Sequence, residues 1–398
     1  MSEPAAAGRD GWPSWRRVAL GGGGGMFVGM GLGRFSYTAM MPPLISAGEL
    51  TALEAGRVGT LNLAGFAIGA LVSVPLRTRF NDYPALVAAI TLSVVALAAS
   101  AVPFGFAWLG FWRGVVGVTA GVIMVLSLAL IAATAPAGRR PVAAGFVFAG
   151  VGAAILSTGI LVPWLVGYGL ASAWLGLAAC GLAAAALAIW GWSAAPSREG
   201  PPPPASAPPP LAGSPWTFPL ALLLLGHLCF SLAIVPHTLY WVDFIARGLD
   251  QGIAAGGFHW SLVGVASIVG PWVAAVLGLL LGTSIALPLS FFVLGLGIAA
   301  PLLSSAGGVL LASSLLFGAQ PGLSVLMAAR VRDLADAHQM PRLMRAMILA
   351  SALGSVVAGM VLPQIYEATL SHVLVFAIGG GAMLLGSLLV APWGCRTR

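Results

Sequence analysis

The sequence predicts an all-α integral membrane protein with twelve transmembrane helices. Of its 398 residues, 59% are hydrophobic and only 7% are charged, whereas soluble domains carry about 25% charged residues. Long apolar stretches recur along the chain, and each provides the roughly 20 residues that a membrane-spanning helix needs. A dozen such helices with short connections use almost the whole length, so we expect the function to reside in the membrane part.

Twelve apolar segments of sufficient length follow one another along the chain. We predict spans at residues 18–45, 56–76, 84–101, 105–133, 141–166, 170–193, 216–241, 256–280, 284–303, 307–329, 343–366 and 370–392. A cleaved signal peptide is the alternative interpretation of Arg16 and Arg17 followed by an apolar run. That run is rich in glycine and lacks a cleavage motif, so we predict that it stays as the first span.

The basic residues, all of them arginines, fall unevenly on the two sides of this arrangement. One side contains Arg9, Arg16, Arg17, Arg77, Arg79, Arg139, Arg140, Arg198, Arg330, Arg332, Arg342, Arg345, Arg396 and Arg398. The opposite side contains only Arg57 and Arg247. Because cytoplasmic loops are rich in Lys and Arg, we predict a multi-pass protein of the cytoplasmic (inner) membrane with both termini cytoplasmic. The same placement explains the net charge of +7 without a nucleic acid partner.

One proline-rich segment divides the spans into six plus six. Residues 194–215 include Pro201–Pro204 and Pro208–Pro210, a composition that favours an extended chain and cannot form a span. We therefore predict a six-helix bundle at 1–193, a cytoplasmic linker at 194–215 and a second six-helix bundle at 216–398. Three positions of the fifth span recur in the eleventh at a spacing of 200 residues: Pro141, Gly159 and Pro163 with Pro341, Gly359 and Pro363. This repetition predicts duplicated halves around a midplane site, which is a transporter architecture.

Several motifs resemble a known family of transporters. The segment Gly29–Pro42 reads Gly-Met-Gly-Leu-Gly-Arg-Phe-Ser-Tyr-Thr-Ala-Met-Met-Pro, Asn62 is followed by Leu-Ala-Gly-Phe, and Pro236-His leads to Asp243 and Arg247. These motifs resemble the YbfB/YjiJ family of the major facilitator superfamily (MFS), whose members are regarded as permeases. The resemblance implies a secondary transporter of two pseudo-symmetric bundles, with a cavity lined by the first and fourth helices.

A second motif begins at Arg113. The run Arg-Gly-Val-Val-Gly-Val-Thr-Ala-Gly that starts there resembles the arginine-bearing motif of proton-linked carriers in the superfamily. Two features depart from the usual patterns. Ala39 stands where the family usually has proline, and Val74–Asp82 lacks the gating-loop pattern Gly-x-x-x-Asp-Arg-x-Gly-Arg. The usual salt bridges of the inner gate are therefore not predicted for this chain.

Arg34 and Arg113 are the leading candidates for binding a solute. Counted at about 1.5 Å per residue, both lie roughly 15 Å below the outer face. An arginine in hydrocarbon is costly and normally faces a cavity or a partner, and the first six spans contain no Asp or Glu. A bound anion is one partner for the pair. The alternative is structural: each guanidinium bonds carbonyls near Gly31, Gly33 or Gly114 and locks the helices together.

Other polar residues lie within or at the ends of spans. Neutral hydrogen bonds to a solute can come from Tyr37, Thr38, Asn62, His237, Tyr240 and Gln320, although such groups also join helices. His227 and His237 are candidates for proton coupling because imidazole changes charge near neutral pH. Asp243 and Arg247, spaced i, i+4 at the outer end of the seventh helix, are expected to form an exposed ion pair, a cap or outer gate of small energy.

These observations predict a secondary carrier that moves a small organic solute by alternating access. The solute is expected to be an anion, with proton coupling left open, and we expect a monomer in the lipid bilayer. Cys180, Cys229 and Cys395 have no paired spacing, and no cofactor or metal site is predicted. The chain has no lysine for a phosphate-binding loop, which excludes ATP drive within it. The alternatives are a membrane sensor or assembly partner on a carrier fold and, more remotely, an enzyme.

Overall fold

The computed structural model describes residues 14–196, 217–336 and 339–392, and these residues form a bundle of helices without any strand. The all-α prediction is therefore confirmed. The helices are α1 (14–46), α2 (Ala52–Arg79), α3 (Asp82–Ala99), α4 (Gly105–Thr134), α5 (Arg140–Val166), α6 (Leu170–Trp192), α7 (Phe218–Gly248), α8 (Gly252–Leu281), α9 (Thr283–Ala299), α10 (Gly307–Leu334), α11 (Met340–Thr369) and α12 (His372–Val390). Most of the predicted linker, from residue 197 onward, lies outside the described residues.

Eleven of the described helices, α2 to α12, are long and apolar enough to cross a membrane. The helix α1 is long enough but is not among the eleven, because the five glycines Gly21–Gly25 and the charged Arg34 dilute its apolar content. The prediction of a twelfth span therefore stays a prediction. In the structure α1 packs against α4, α5 and α6 as part of the same bundle.

Several helices extend beyond the predicted spans. The helix α2 begins at Ala52 rather than 56, because Thr51 and Glu54 form a reciprocal capping box with bonds of 3.2 and 2.8 Å between side chain and backbone. The helix α7 continues through Gly248 rather than ending at 241. In both cases the helical hydrogen bonding continues beyond the residues that hydropathy assigns to the span. Hydropathy alone therefore misplaces the ends of these helices.

The two sets of six helices meet along three seams. We call the end where α1 begins and α12 ends the inner end, and the opposite end the outer end. The helix α5 packs against α8, α2 against α11, and the outer part of α1 against the outer part of α7. Three side-chain bonds between described residues cross these seams: Thr38 Oγ1 donates to the Thr238 carbonyl, Thr60 Oγ1 to the Gly359 carbonyl, and Ser261 Oγ to the Leu156 carbonyl at 3.4 Å.

The repeated residues of α5 and α11 occupy equivalent positions at these seams. Pro163 of α5 packs against Gly257 of α8, and Pro363 of α11 packs against Gly56 of α2. One turn away, Gly159 lies against Ser261, just as Gly359 lies against Thr60. The spacing of 200 residues therefore corresponds to a structural equivalence of the two halves.

Candidate functional site

The site is built around an irregular segment of α1. Residues Phe27–Phe35 form a π-helical stretch between the α-helical parts Ser14–Met26 and Ser36–Ser46. Glycine permits this stretch to lie against its neighbours: a Cβ at Gly33 would lie 2.7 Å from Val116 Cγ1 of α4. Such π segments occur frequently at functional sites. This one ends with Arg34 and Phe35, and Tyr37 and Thr38 lie in the first turn of the α-helical part that follows.

Arg34 is buried with most of its hydrogen-bonding capacity unused. Its side chain is 8% exposed, and neither Nε nor Nη2 has a partner. The guanidinium carbon lies 5.4 Å from the ring centre of Phe66 on α2 and 5.5 Å from that of Phe35. These rings give only a modest cation–π attraction. Arg34 therefore keeps donors for a further partner.

Arg113 of α4 lies beside the same segment of α1. It is fully buried, and its Nη2 donates to the Gly33 carbonyl, the group that precedes Arg34. The amide of Asn62 in turn donates to the Arg113 carbonyl at 2.8 Å. The bond to Gly33 joins α4 to α1, as expected if Arg113 serves only to hold helices together. Yet Nε and Nη1 of Arg113 have no partner, so one bond does not satisfy the guanidinium.

The surroundings of the two arginines are rich in donors. Trp174 of α6 lies 5.5 Å from the Arg113 guanidinium, and Trp260 of α8 lies 6.3 Å from the Phe35 ring. Both indole Nε1 atoms are buried without a partner. Neither Arg34 nor Arg113 forms an ion pair with a described carboxylate. The two guanidinium groups therefore offer unpaired N–H donors without a counter-charge, which is an environment for an anion.

The sequence did not indicate Trp174 and Trp260 as site residues, and Phe66 appeared only within the motif that follows Asn62. Each belongs to an apolar helix, where an aromatic residue is most simply explained as packing. For the two tryptophans, the sequence indicates only that a buried indole N–H needs an acceptor. It does not show whether an acceptor lies near.

The remaining predicted solute contacts fall into two groups. Tyr37 Oη donates to the Ala55 carbonyl at 2.8 Å, and Thr38 and Asn62 bond backbone carbonyls of other helices. These three side chains join helices in the structure. Tyr240, by contrast, has a buried hydroxyl without a partner, and Gln320 lies where α10 is interrupted, 9% exposed.

The two histidines predicted for proton coupling both lie on α7, in the second half. His227 Nδ1 is 3.0 Å from the sulfur of Met327 on α10. His237 is fully buried, and its Nε2 lies 3.0 Å from Ser313 Oγ. Its ring stacks on Trp241 with a centroid distance of 4.5 Å, and Phe317 lies at 4.7 Å. An aromatic cluster thus encloses His237.

The expectation for Asp243 and Arg247 needs a correction. The i, i+4 pair is formed, with Arg247 Nη1 2.9 Å from Asp243 Oδ1. It is not exposed at the aspartate, because the Asp243 side chain is fully buried. The second carboxylate oxygen faces His372 Nε2 of α12 at 2.8 Å. The sequence did not indicate this third member, because His372 lies 129 residues from Asp243 along the chain.

An ion pair joins the end of α2 to the start of α3, although the segment lacks the usual gating pattern. Arg77 Nε lies 3.0 Å from Asp82 Oδ1, and both groups are partly shielded from solvent. A cleft of about 410 Å³ opens next to this pair and is bordered by Thr134 of α4 and Trp192 of α6. It lies at the inner end, far from the two arginines along the bundle.

Comparisons with known proteins agree with this architecture. Residues 26–391 match a family described as "Uncharacterised MFS-type transporter YbfB". No match was found among curated proteins. Solved structures with a similar fold include a mutant of a peptide transporter POT in complex with sulfate, with a TM-score of 0.74, 16% identity and coverage of 97% of this chain and 95% of that one. Another is a partially occluded inward open conformation of the xylose transporter XylE from E. coli, with a TM-score of 0.72, 14% identity and coverage of 96% and 100%.

A family match over nearly the whole chain carries more weight than structural likeness at such low identity, which shows the fold alone. The match agrees with the resemblance found in the motifs around Arg34 and Asn62. The chain therefore belongs to the MFS-type transporter family of YbfB, and it is a multi-pass integral membrane protein with the transporter fold of the major facilitator superfamily.

Proposed function

We propose that this transporter is a secondary carrier that binds a small organic anion at Arg34 and Arg113 and moves it by alternating access. The observation that carries the proposal is the surplus of donors around the π segment of α1. Four nitrogen atoms of the two guanidinium groups lack a hydrogen-bond partner, namely Nε and Nη2 of Arg34 and Nε and Nη1 of Arg113. No described carboxylate pairs with either group.

The energetics favour a ligand over a purely structural role. Burying a cation without a counter-charge costs several kcal/mol, and intramembrane charges normally face a partner or an aqueous cavity. The single bond from Arg113 to Gly33 compensates only part of that cost. A carboxylate accepts two parallel hydrogen bonds from one guanidinium, so an organic acid satisfies these donors better than a neutral solute does.

The two arginines have different tasks in this proposal. Arg34, which keeps some exposure, makes the first contact with the anion. Arg113 holds the π segment through Gly33 and supplies Nε and Nη1 to the bound anion. Tyr240, whose buried hydroxyl has no partner, and Gln320 are the proposed neutral contacts of the solute. Tyr37, Thr38 and Asn62 maintain the helix contacts around it.

The membrane and orientation follow the arginine distribution of the sequence. The carrier is proposed to lie in the cytoplasmic (inner) membrane as a monomer, with both termini on the cytoplasmic side. Drive by a proton gradient fits a carrier that has no nucleotide-binding loop. His237 is enclosed by aromatic rings and His227 contacts a methionine, so neither is the best-placed proton acceptor.

A thermal-shift screen of the purified protein tests the proposal. Organic acids, amino acids, sugars and organic cations are added to the parent protein, to Arg34→Lys and to Arg139→Lys. Arg139 is an exposed arginine between α4 and α5 and serves as a matched control. A ligand at about 100 times its Kd stabilises the folded state by about 2.7 kcal/mol.

We expect an organic acid to raise the Tm of the parent and of Arg139→Lys, and to have a much smaller effect on Arg34→Lys. Stabilisation by cations or sugars alone would contradict an anion carrier.

A further inference from the structure

A cluster of charged groups at the outer end of the second half has no assigned role. Asp243 of α7 is fully buried and is the only carboxylate in the described part of the chain with that degree of burial. Its Oδ1 accepts a hydrogen bond from Arg247 at 2.9 Å, and its Oδ2 lies 2.8 Å from His372 Nε2. A buried carboxylate is stable only when paired and hydrogen-bonded, and this one has two partners, of which one can change its charge.

His372 is enclosed but keeps a route to water. It is the first residue of α12 and is 8% exposed. The titratable and charged groups that surround it are Tyr240, Asp243 and Arg247 of α7 and Tyr366 of α11, with the exposed Glu367 next to the last. No described group of α12 itself adds a charge. The nearest ring is that of Tyr366, at 4.6 Å between centroids.

The geometry defines how a proton would be taken up. An ionised carboxylate only accepts hydrogen bonds, so His372 Nε2 carries a hydrogen and donates to Asp243. In the neutral ring Nδ1 then has a lone pair. A proton from water at the outer end adds to that lone pair and forms one N–H bond, and the charge of the cluster rises by one. The new imidazolium is compensated by the carboxylate of Asp243.

The cluster is connected to the seam between the two halves. The ring of Tyr366 lies 5.2 Å from that of Tyr240. The hydroxyl of Tyr240 lies beside Gly56 of α2, where a Cβ would be 2.9 Å from it. Pro363 of α11 packs on the same glycine. One pair of tilted rings, those of Tyr366 and Tyr240, therefore separates His372 from the α2–α11 contact at the outer end.

We propose that His372 and Asp243 form a proton-binding site, and that its occupancy sets the closure of the α2–α11 contact at the outer end. The inference rests on the carrier function proposed above, because a carrier is what uses such a link between a proton and alternating access. It does not depend on which solute binds at Arg34 and Arg113.

A distance measurement without any solute tests the site. The cysteines Cys180, Cys229 and Cys395 are replaced by serine, and spin labels are attached to Ala47→Cys and Gln251→Cys, two exposed positions in outer connections of opposite halves. The label-to-label distance is measured by pulsed electron resonance in lipid nanodiscs across about three pH units centred near the usual imidazole pKa of about 6.5. We expect the distance distribution of the labelled parent to shift by several Å over this range.

Three further variants locate the origin of the shift. His372→Gln should abolish it, and Asp243→Asn should abolish it or displace its midpoint by about one pH unit or more, because the counter-charge is lost. His227→Gln, which alters a histidine of α7 far from the cluster, should retain it. Each variant must elute as a single species in size-exclusion chromatography, and either His372→Gln or Asp243→Asn suffices if the other does not fold.

A distance unaffected by pH in the labelled parent, or a full shift with an unchanged midpoint in either His372→Gln or Asp243→Asn, would overturn the proton site. Because no solute is present, that outcome leaves the anion site and the transport function standing. Failure of the ligand screen would in turn leave this measurement unaffected.

Discussion

The contact between α2 and α4 predicts a sharp difference between two glycines of the same helix. A Cβ at Gly121 of α4 would lie 2.5 Å from the Phe66 carbonyl oxygen and 2.6 Å from the Ala70 backbone nitrogen. Ordinary contacts are about 3.5 Å, so Gly121→Ala must separate the helix backbones by roughly 1 Å. A Cβ at Gly114, two turns away, would meet nothing nearer than the Leu61 carbonyl oxygen at 3.9 Å.

The change in stability caused by each substitution is the sum of two opposing contributions. Overpacking costs about 1–3 kcal/mol, and the upper end applies because backbone atoms cannot rotate away. Alanine recovers about 1 kcal/mol of helix propensity at either position. Gly121→Ala should therefore destabilise the protein by roughly 2 kcal/mol, whereas Gly114→Ala should be neutral or stabilising.

Thermal unfolding in detergent measures both variants. At roughly 2 °C per kcal/mol, Gly121→Ala should lower the Tm by about 4 °C. Gly114→Ala should have the Tm of the parent or a higher one. Since Phe66 lies against Arg34, Gly121→Ala should also weaken anion binding. Equal melting temperatures for the two variants would refute the close contact between α2 and α4.

Two further predictions concern topology and the linker. Gly200→Cys in an otherwise cysteine-free protein should not react with an impermeant maleimide added outside intact cells, and robust labelling would overturn the predicted cytoplasmic linker. Replacing residues 201–210 by a Gly/Ser linker of equal length should leave transport of the solute found in the screen intact, because the proline-rich composition acts as a spacer. Lost uptake at a normal membrane level would contradict the spacer role.

Composition and apolar length were sufficient to predict the helical membrane fold, because hydrocarbon permits few other structures. The depth count of Arg34 and Arg113 placed both at a similar level of the bundle, since rise per residue is nearly constant along a helix, and Arg113 bonds the carbonyl of Gly33. A shared binding site for the two stays a prediction. The π segment could not be foreseen, because its hydrogen bonds shift by one residue without changing the apolar pattern. The same holds for His372, whose contact with Asp243 depends on how α7 and α12 pack.

The tryptophans near the arginines illustrate another limit. Trp174 and Trp260 are buried in apolar helices, where a sequence suggests packing. Their unpartnered indole N–H groups become visible only when every neighbour is known. The i, i+4 spacing of Asp243 and Arg247 indicated the ion pair correctly but not the burial of Asp243, which faces His372 of α12.

Calorimetric binding of the tightest organic acid from the screen to four proteins tests the two-arginine site most directly. These are the parent, Arg34→Lys, Arg113→Lys and the double variant, each checked for folding by size-exclusion chromatography. Lysine keeps the charge but cannot reproduce the planar pair of hydrogen bonds, and a hydrogen bond to a charged group contributes about 1.5–3 kcal/mol. Each single variant should therefore bind at least about tenfold more weakly. The double variant should be little worse than the weaker single one, because the two arms act together. Single variants that bind the acid as tightly as the parent would contradict the anion site.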